Sequence, residues 1–233
     1  YYAMEYLDGI NLEDLVVKFG SLPASRVAKL MLQMSASLAE AHAIGLVHRD
    51  IKPANVFLCY RGGIYDFVKV LDFGLVRLYG EGEKQMAALT QVGMTTGTPA
   101  FMAPEMILGK EVGPGVDVYA SGCVAYWLLT GKQVFEGENA MALAMAHTKE
   151  DAVPPSEITD QPIPECLEDV IMRCLAKKAA DRPADARVLV SELQRCVFEP
   201  TWTDDLAEQW WGENLPGAGE RLSVIGEPGV GNQ

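Results

Sequence analysis

Apolar residues recur at three- and four-residue intervals in several stretches of this chain, a spacing that predicts amphipathic helices. The longest stretch opens at Pro23 and ends at Gly45, since Pro is favoured in the first turn of a helix and Gly just beyond its last turn. Its apolar positions are Val27, Leu30, Met31, Met34, Leu38 and Ala41. This stripe of Met and Leu residues predicts a face packed in the core rather than a cofactor site.

Other helices are indicated by composition and capping residues. Residues 117–130 are apolar on nearly all sides, which predicts a buried helix. Asn11 can cap an earlier helix, with Asp14 in the first turn, where acidic side chains are favourable. Further helices fit residues 140–147, 165–176 and 184–196, and the segments Pro154-Pro155 and Pro162-Ile163-Pro164 mark the loop between the first two.

Strand-like patterns are few and short. Residues 56–59 and 67–71 predict a hairpin whose loop contains Gly62-Gly63. Residues 1–7 predict a short aromatic strand that stops at the turn pair Asp8-Gly9. The expected fold class is therefore α+β, mainly α, with a helical lobe that carries a small β-hairpin.

Composition places the chain among globular proteins. Its 233 residues, of which 49% are hydrophobic, can bury a sizeable core in one large domain or two small ones. The balance of 19 basic and 32 acidic residues gives a net charge of −13, which argues against nucleic acid or an anionic membrane surface as the main partner. Five cysteines form no CxxC pair, which predicts reduced, buried thiols and a cytoplasmic location. No apolar run approaches the length of a membrane span.

The character of the chain changes after Phe198, so we expect a domain of residues 1–197 followed by an acidic tail or linker, residues 198–233. Residues 199–233 hold seven acidic side chains and one basic side chain. Thr203 can cap a short helix over residues 204–211, and we expect Trp202, Trp210 and Trp211 to dock on the same chain rather than on a neighbour. A phosphate-binding loop at residues 226–231 is rejected, because neither a Lys-Ser/Thr pair nor a helix follows.

Three polar side chains in one short loop, Asp50, Lys52 and Asn55, carry the strongest chemical signal. They supply a proton acceptor, a cation and a metal-binding amide oxygen, which suit phosphoryl transfer. Asp50 ends the triplet His48-Arg49-Asp50, which alone is a weak signal, because solvated turns contain such triplets by chance. Three further signatures follow in order: Asp72-Phe73-Gly74, Gly97-Thr98-Pro99-Ala100-Phe101-Met102 and Ala103-Pro104-Glu105.

With these motifs, residues 1–197 resemble the eukaryotic-like (Hanks-type) serine/threonine protein kinases. The motif sequences HRDIKPAN, LDFGL and GTPAFMAPE are most similar to those of the bacterial members. The resemblance implies a protein-kinase-like fold and transfer of the ATP γ-phosphate to protein hydroxyls. It implies that Asp50 is the base and that Lys52 faces the phosphoryl oxygens. Asn55 and Asp72 would then bind Mg²⁺.

The resemblance also implies an adenine site near the start of the chain. Met4 would be the gatekeeper, the backbones of Glu5 and Leu7 would meet the adenine edge, and Phe57 would lie under the adenine ring. The sequence is equally compatible with Phe57 being an ordinary aromatic residue of the core.

Residues 74–105 form a long connection with little periodicity, which resembles an activation loop. Phosphorylation is expected at Thr90, Thr95 or Thr96, where a phosphate could pair with Arg49 and order the loop. The resemblance implies that Thr98 bonds the catalytic Asp and Lys and marks serine/threonine specificity. Phe101 stands where the family usually has Tyr.

Five residues receive structural roles by resemblance. His48 would pack beneath the metal-binding turn, Asp117 would anchor the backbone of the catalytic loop, and Glu105 would form a buried ion pair with Arg182. Phe73 of the Asp-Phe-Gly motif completes the structural set. His42, near the end of its helix, is expected to be a polar-face or capping residue rather than a ligand.

The chain departs from the family pattern at its start. By resemblance, residues 1–7 form the kinase hinge, and no Gly-rich loop or Val-Ala-Ile-Lys strand precedes it, so we expect the amino-terminal lobe to be missing. Such a fragment would hold half a nucleotide site and would bind ATP weakly and transfer phosphate slowly or not at all.

Three functions remain open at this point. The leading one is a serine/threonine protein kinase acting on protein substrates, and the resemblance allows a dimer that phosphorylates in trans. A pseudokinase or scaffold is the alternative, although its usual mark is loss of the catalytic Asp or the metal-binding Asp, and both are present. A small-molecule phosphotransferase ranks last, because it would not need Lys52, Thr98 and the GTPAFMAPE segment.

Overall fold

The computed structural model describes residues 5–72, 77–78 and 99–217, with the backbone alone at 77–78. The described residues form mainly helices and two small antiparallel sheets, which confirms the predicted mainly helical α+β class. The helices are α1 (Leu12–Phe19), α2 (Ala24–Ala43), α3 (Pro104–Ile107), α4 (Gly115–Thr130), α5 (Ala140–Lys149), α6 (Glu165–Cys174), α7 (Ala186–Leu193) and α8 (Asp204–Asn214). The strands are β1 (Gly9–Asn11), β2 (Leu46–Val47), β3 (Val56–Arg61), β4 (Ile64–Val70) and β5 (Arg77–Leu78).

Capping residues set where several helices begin. Asn11 Oδ1 accepts a hydrogen bond of 2.7 Å from the backbone N–H of Asp14, as predicted for α1. Asp185 caps α7 by accepting from the N–H of Val188, so this helix starts at Ala186 and is shorter than the predicted 184–196. The predicted helix over 165–176 ends earlier, at Cys174, whereas those over 140–147 and 204–211 run on to Lys149 and Asn214.

The predicted hairpin is present, and its strands are longer than expected. β3 and β4 extend to Arg61 and Ile64, so the turn is reduced to Gly62-Gly63, both with positive φ. β1 pairs with the other edge of β3, which gives the strand order β1-β3-β4. A second, two-stranded sheet pairs β2 with β5. The two sheets bracket the loop between β2 and β3.

Helix α4 forms the centre of the helical core, as its apolar sequence predicted. Val118, Tyr119 and Val124 have no exposed surface, and the helix also buries Asp117. α6 lies very close to it at Gly122, where an added Cβ would stand 2.7 Å from the Cβ of Cys174. Only glycine allows this approach, since any side chain would collide with α6.

The segment after Phe198 packs on the lobe through α8, against α2 and β4. Arg26 and Asp66 form a completely buried ion pair, with Arg26 Nη2 2.7 Å from Asp66 Oδ1. The indole N–H groups of Trp202 and Trp211 each donate to the Asp66 carboxylate at 2.8 Å. The Arg26 guanidinium lies over the ring of Trp210, 3.9 Å from its centroid. We call these five residues the tryptophan clasp.

The tryptophan clasp agrees with the expectation that the tail tryptophans dock on the same chain. The division into a domain of residues 1–197 and a tail of residues 198–233 stays a prediction. Among the helices that the structure describes, none combines the length and the apolar character needed to cross a bilayer.

Candidate active site

Asp50 lies in the loop between β2 and a short 3₁₀ turn, Pro53–Asn55, that leads into β3. Its Oδ2 accepts from Lys52 Nζ at 2.8 Å and from Asn55 Nδ2 at 2.9 Å. Asn55 Nδ2 also donates to the backbone oxygen of Asp50 at 2.9 Å. About a third of the Asp50 and Lys52 side chains is exposed, at 33% and 32%. The carboxylate is therefore oriented by two donors while remaining open to a substrate.

The backbone of this loop is hydrogen-bonded to one buried carboxylate, that of Asp117 in α4. Asp117 Oδ2 accepts from the N–H of His48, and its Oδ1 accepts from the N–H of Arg49, both at 2.8 Å. Arg49 has φ of +67°, a conformation that costs energy for a residue other than glycine. The two hydrogen bonds to Asp117 hold Arg49 in this conformation. The contact inferred for Asp117 from the family resemblance is thus present.

His42 joins the same network, which the sequence did not predict. Its Nδ1 accepts from the N–H of Ala186 at 3.3 Å, so the ring proton stands on Nε2 and is donated to Asp117 Oδ2 at 3.0 Å. The last turn of α2 and the loop that contains Asp50 therefore share one carboxylate, and His42 connects the start of α7 to it. The position of His42 near the end of a helix does not indicate that its partners are Asp117 and Ala186, 75 and 144 residues away.

The hairpin brings Asn55 and Asp72 to one end of the sheet. Leu71 N–H donates to the backbone oxygen of Asn55 at 2.8 Å, and His48 Nε2 is 2.8 Å from the oxygen of Leu71. The turn before Asp72 is thus connected to the 3₁₀ turn through Asn55 and to the loop through His48. Asp72 itself is exposed and has φ of +62°.

The donor set at this end of the sheet fits a magnesium ion. Asn55 uses its amide nitrogen toward Asp50, so the amide oxygen is the atom suited to a cation, and Asp72 adds a carboxylate. Hard oxygens of this kind, completed by phosphate oxygens and water, are the ligands that Mg²⁺ prefers. Within the described ranges, no group of three or more His, Cys, Asp and Glu side chains could hold a metal ion.

Phe57 lies on the face of the sheet opposite the core. Its neighbours in β3, Val56 and Leu58, are completely buried, whereas Phe57 is half-buried and pairs across the sheet with Asn11 and Lys69. The sequence was equally compatible with an ordinary core role for Phe57, and its half-buried position makes that role less favourable. An aromatic ring on this face is available to a flat ligand.

The described part of the hinge is exposed and rich in ion pairs. The Glu5 carboxylate pairs with Lys69 Nζ and lies 3.6 Å from Arg61 Nη1. Leu7 is half-buried. Six of the predicted site residues lie outside the described residues: Met4, Phe73, Thr90, Thr95, Thr96 and Thr98.

The predicted Glu105–Arg182 pair is present. Arg182 Nη1 and Nη2 reach the two carboxylate oxygens of Glu105 at 2.7 and 2.9 Å. Arg182 also donates to the backbone oxygens of Ala176, Gly115 and Lys177. Every guanidinium nitrogen has a partner, so this buried charge is fully satisfied and joins the segment before α4 to the segment after α6.

Comparison with known proteins gives a consistent result. Residues 1–193 match the sequence profile of the protein kinase domain. The chain is 37% identical over 195 residues to a serine/threonine-protein kinase of Myxococcus xanthus, pkn3, and 42% identical over 199 residues to a second one, Pkn1. These alignments cover 83% and 85% of this chain but only 36% and 28% of the relatives, so the chain spans about a third of their length.

The fold also matches solved structures. A crystal structure of Rad53 in complex with AMP-PNP aligns with a TM-score of 0.65 at 26% identity, covering 81% of this chain and 45% of that chain. A structure of the Rad53 kinase domain aligns with a TM-score of 0.68 at 22% identity, covering 89% and 73% of the two chains. The arrangement of helices and small sheets is therefore shared with these structures.

Proposed function

This chain belongs to the protein kinase domain family, and from that premise we propose that it transfers the γ-phosphoryl group of ATP to serine and threonine hydroxyls of proteins. The observation that carries the proposal is the Asp50 carboxylate, held at Oδ2 by Lys52 and Asn55 and open to solvent. The names of the relatives, serine/threonine-protein kinases, support the choice of hydroxyl. Protein substrates and a cytoplasmic location are parts of the same proposal.

Asp50 acts as the proton acceptor in this proposal. Both donors among the described residues use Oδ2, so Oδ1 is the oxygen we assign to the substrate hydroxyl. The Lys52 ammonium donates to Asp50 Oδ2, and Lys52 is only two residues after Asp50 in the same loop. A rotation of its side chain can therefore direct the ammonium toward phosphoryl oxygens that lie beside Asp50. Thr98 would complete this set and confer the preference for Ser and Thr.

We assign the cation to Asn55 and Asp72. When bound, Mg²⁺ supplies positive charge to the phosphate oxygens of ATP. Asn55 keeps its side chain oriented by donating to Asp50, and Asp72 is placed by the ties on Leu71. Phe57 would contact the adenine ring, and Met4, Glu5 and Leu7 would line its edge.

These 233 residues contain no glycine-rich loop and no Val-Ala-Ile-Lys segment. The absence of an amino-terminal lobe and the weak ATP binding of the chain by itself stay predictions. The test of activity is therefore best made on the full-length gene product.

Control by phosphorylation is the regulatory part of the proposal. Arg49 Nε is buried without a hydrogen-bond partner among the described residues, which leaves a donor for a phosphate. A phosphate on Thr90, Thr95 or Thr96 could satisfy it through a charge-assisted hydrogen bond. Such phosphorylation in trans would require a dimer, at least transiently.

The catalytic assignment is tested by Asp50→Asn in the full-length protein, with Asp160→Asn, an exposed loop residue, as the matched control. Labelled ATP, Mg²⁺ and a generic protein substrate are supplied, and phosphate is mapped by mass spectrometry. Because the amide cannot accept the hydroxyl proton, turnover should fall by roughly 10²- to 10⁴-fold. ATP affinity should be largely kept, and the control should resemble the parent.

A near-normal rate in Asp50→Asn would reject Asp50 as the base. No phosphate transfer by the parent itself would favour the scaffold alternative. Partner binding would then be the property to measure.

A further inference from the structure

His42 lies in the last turn of α2, where its imidazole reaches two other elements of the lobe. Its side chain is only 4% exposed, and both ring nitrogens have partners. Nε2 donates to Asp117 Oδ2 in α4 at 3.0 Å, and Nδ1 accepts from the N–H of Ala186 in α7 at 3.3 Å. Neither partner belongs to the loop that contains Asp50. His42 is therefore connected to that loop through Asp117.

The start of α7 selects the tautomer of His42. Ala186 is the first residue of α7, and the first N–H groups of a helix have no acceptor within it. The Asp185 side chain caps α7 by accepting from Val188, so the N–H of Ala186 is left to His42 Nδ1. An N–H donor that faces Nδ1 excludes a proton from that nitrogen. The ring proton is therefore kept on Nε2, where it faces Asp117.

His42 is the donor that holds the Asp117 carboxylate from outside the catalytic loop. The other two donors are the N–H groups of His48 and Arg49, which belong to the loop. A carboxylate held by these two alone could rotate together with the loop. Because Oδ2 also accepts from His42, whose helix is packed in the core through Leu38, such a rotation would break a hydrogen bond.

The orientation of the loop backbone passes directly to Asp50. Arg49, whose N–H donates to Asp117, has φ of +67° and immediately precedes Asp50. Lys52 and Asn55 orient the Asp50 carboxylate, but they belong to the same loop and turn. They fix Asp50 relative to the loop, whereas the contact between His42 and Asp117 fixes the loop relative to the helical core.

We propose that His42, as the neutral tautomer with its proton on Nε2, is a positioning residue for Asp50. It fixes the Asp117 carboxylate, which in turn holds the backbone of His48 and Arg49. The imidazole transfers no proton itself, because its hydrogen bonds go to Asp117 and Ala186. This inference rests on the proposed function for the role of Asp50, whereas the hold on the loop can be measured separately.

Two substitutions separate the two contacts of His42. In His42→Asn, the side-chain oxygen can take the place of Nδ1 and accept from Ala186, but no donor reaches Asp117. In His42→Gln, the side-chain amide nitrogen can take the place of Nε2 and donate to Asp117, but Ala186 loses its acceptor. Glu40→Gln, which changes an exposed residue of the same helical turn, is the control.

Steady-state kinetics of the full-length protein measure the effect on catalysis, with ATP, Mg²⁺ and a generic protein substrate. In His42→Asn, kcat should fall by roughly 10- to 100-fold, because Asp50 is misplaced, while the KM for ATP stays largely unchanged. His42→Gln should keep a kcat near that of the parent, as should the control. A loss of stability alone would affect both His42 variants and would not be relieved by Gln.

Hydrogen exchange followed by mass spectrometry, resolved to single amides by electron-transfer fragmentation, measures the positioning without any phosphoryl transfer. In His42→Asn, the amides of His48 and Arg49 should exchange faster than in the parent by roughly 2- to 10-fold, the range expected for one hydrogen bond. The amide of Ala186 should stay protected in that variant. His42→Gln should show the opposite pattern, with faster exchange at Ala186 and a protected loop.

The proposal is wrong if His42→Asn keeps either the kcat or the loop protection of the parent, or if His42→Gln loses as much kcat as His42→Asn. If the parent transfers no phosphate, the proposed function fails. The exchange of the His48 and Arg49 amides then decides by itself whether His42 holds the loop.

Discussion

At the scale of single residues, the site depends on side chains that each satisfy several partners. Asp117 accepts two backbone N–H groups of the catalytic loop and one from His42. Asn55 donates twice to Asp50 and so connects the proposed proton acceptor to the start of β3. Asp72 is held in a left-handed conformation beside them. This geometry persists because the surrounding hydrogen bonds outweigh the backbone strain.

Asp72→Asn isolates the charge of this proposed cation ligand. Asn tolerates the left-handed conformation as Asp does, so the backbone should be kept. With one negative charge removed, the Mg²⁺ concentration needed for half-maximal ATP binding should rise by roughly tenfold or more, the equivalent of about 1.4 kcal/mol. Titration of the full-length protein with Mg²⁺ at constant ATP measures it.

The control for this experiment is again Asp160→Asn, which removes the same charge from an exposed loop. An unchanged Mg²⁺ dependence in Asp72→Asn would refute the assignment. A loss of ATP binding that excess Mg²⁺ does not restore would point instead to a structural role.

At the scale of elements, α8 is bound to the lobe by a buried polar network rather than by apolar contact alone. The match to the protein kinase domain ends at residue 193, before this helix begins. The Asp66 carboxylate accepts hydrogen bonds from two nitrogens of Arg26 and from two indole N–H groups, which offset part of the cost of burying both charges. Arg26 Nη1 is buried without a hydrogen-bond partner among the described residues. The tryptophan clasp thereby joins α8 to α2 and to the hairpin that ends near Asp72.

Trp211→Phe removes one N–H donor from the Asp66 carboxylate while keeping an aromatic ring. Hydrogen bonds to charged groups contribute about 1.5–3 kcal/mol, so the free energy of unfolding should fall by that amount beyond the loss of ring size. Trp127→Phe is the matched control, because Trp127 Nε1 is buried without a hydrogen-bond partner among the described residues.

Urea unfolding followed by far-ultraviolet circular dichroism compares the two variants without relying on tryptophan fluorescence. The transition midpoint of Trp211→Phe should lie clearly below that of Trp127→Phe. Equal midpoints would show that the indole N–H contributes nothing to the clasp.

At the scale of the whole molecule, several elements converge on one buried histidine. His147 of α5 is completely buried, and its Nδ1 lies 2.8 Å from the hydroxyl of Tyr119 in α4. Its ring contacts Phe135 edge to face, and Lys177 donates to its backbone oxygen. Burial and then the charge of Lys177 lower the pKa of His147 from 6.5 to about 4. The folded protein therefore keeps this imidazole neutral.

This depressed pKa predicts how stability depends on pH. Below pH 6.5 the unfolded chain binds a proton at this residue, whereas the folded chain does so only near pH 4. The free energy of unfolding should therefore fall as the pH drops through this window, by up to about 3 kcal/mol from this group. Urea unfolding at intervals between pH 7 and pH 4, for the parent and His147→Gln, measures the contribution.

His147→Gln removes the titrating group, so its stability should fall less steeply than that of the parent over the same window. Carboxylates contribute equally to both proteins, and the difference between the two curves belongs to His147. Parallel curves would mean that the imidazole is protonated in the folded state as readily as in the unfolded one.

Much of the local structure could be predicted from the sequence alone. The helical periodicity after Pro23, the Asn11 cap and the Gly62-Gly63 turn each depend on residues a few positions apart, and all three are present. The motif order predicted the catalytic loop, and the family resemblance gave the partners of Asp117 and Arg182, which are present. Exact helix ends were less accurate, because side-chain caps such as Asp185 decide them.

The long-range polar contacts were decided only by the tertiary structure. Asp66 meets Trp202 and Trp211 across 136 and 145 residues, and His42 meets Ala186 across 144. The physical reason is that a local pattern shows which face of an element is buried but not which distant polar group will stand opposite it. Charge and hydrogen-bonding capacity select partners only after the apolar faces have packed.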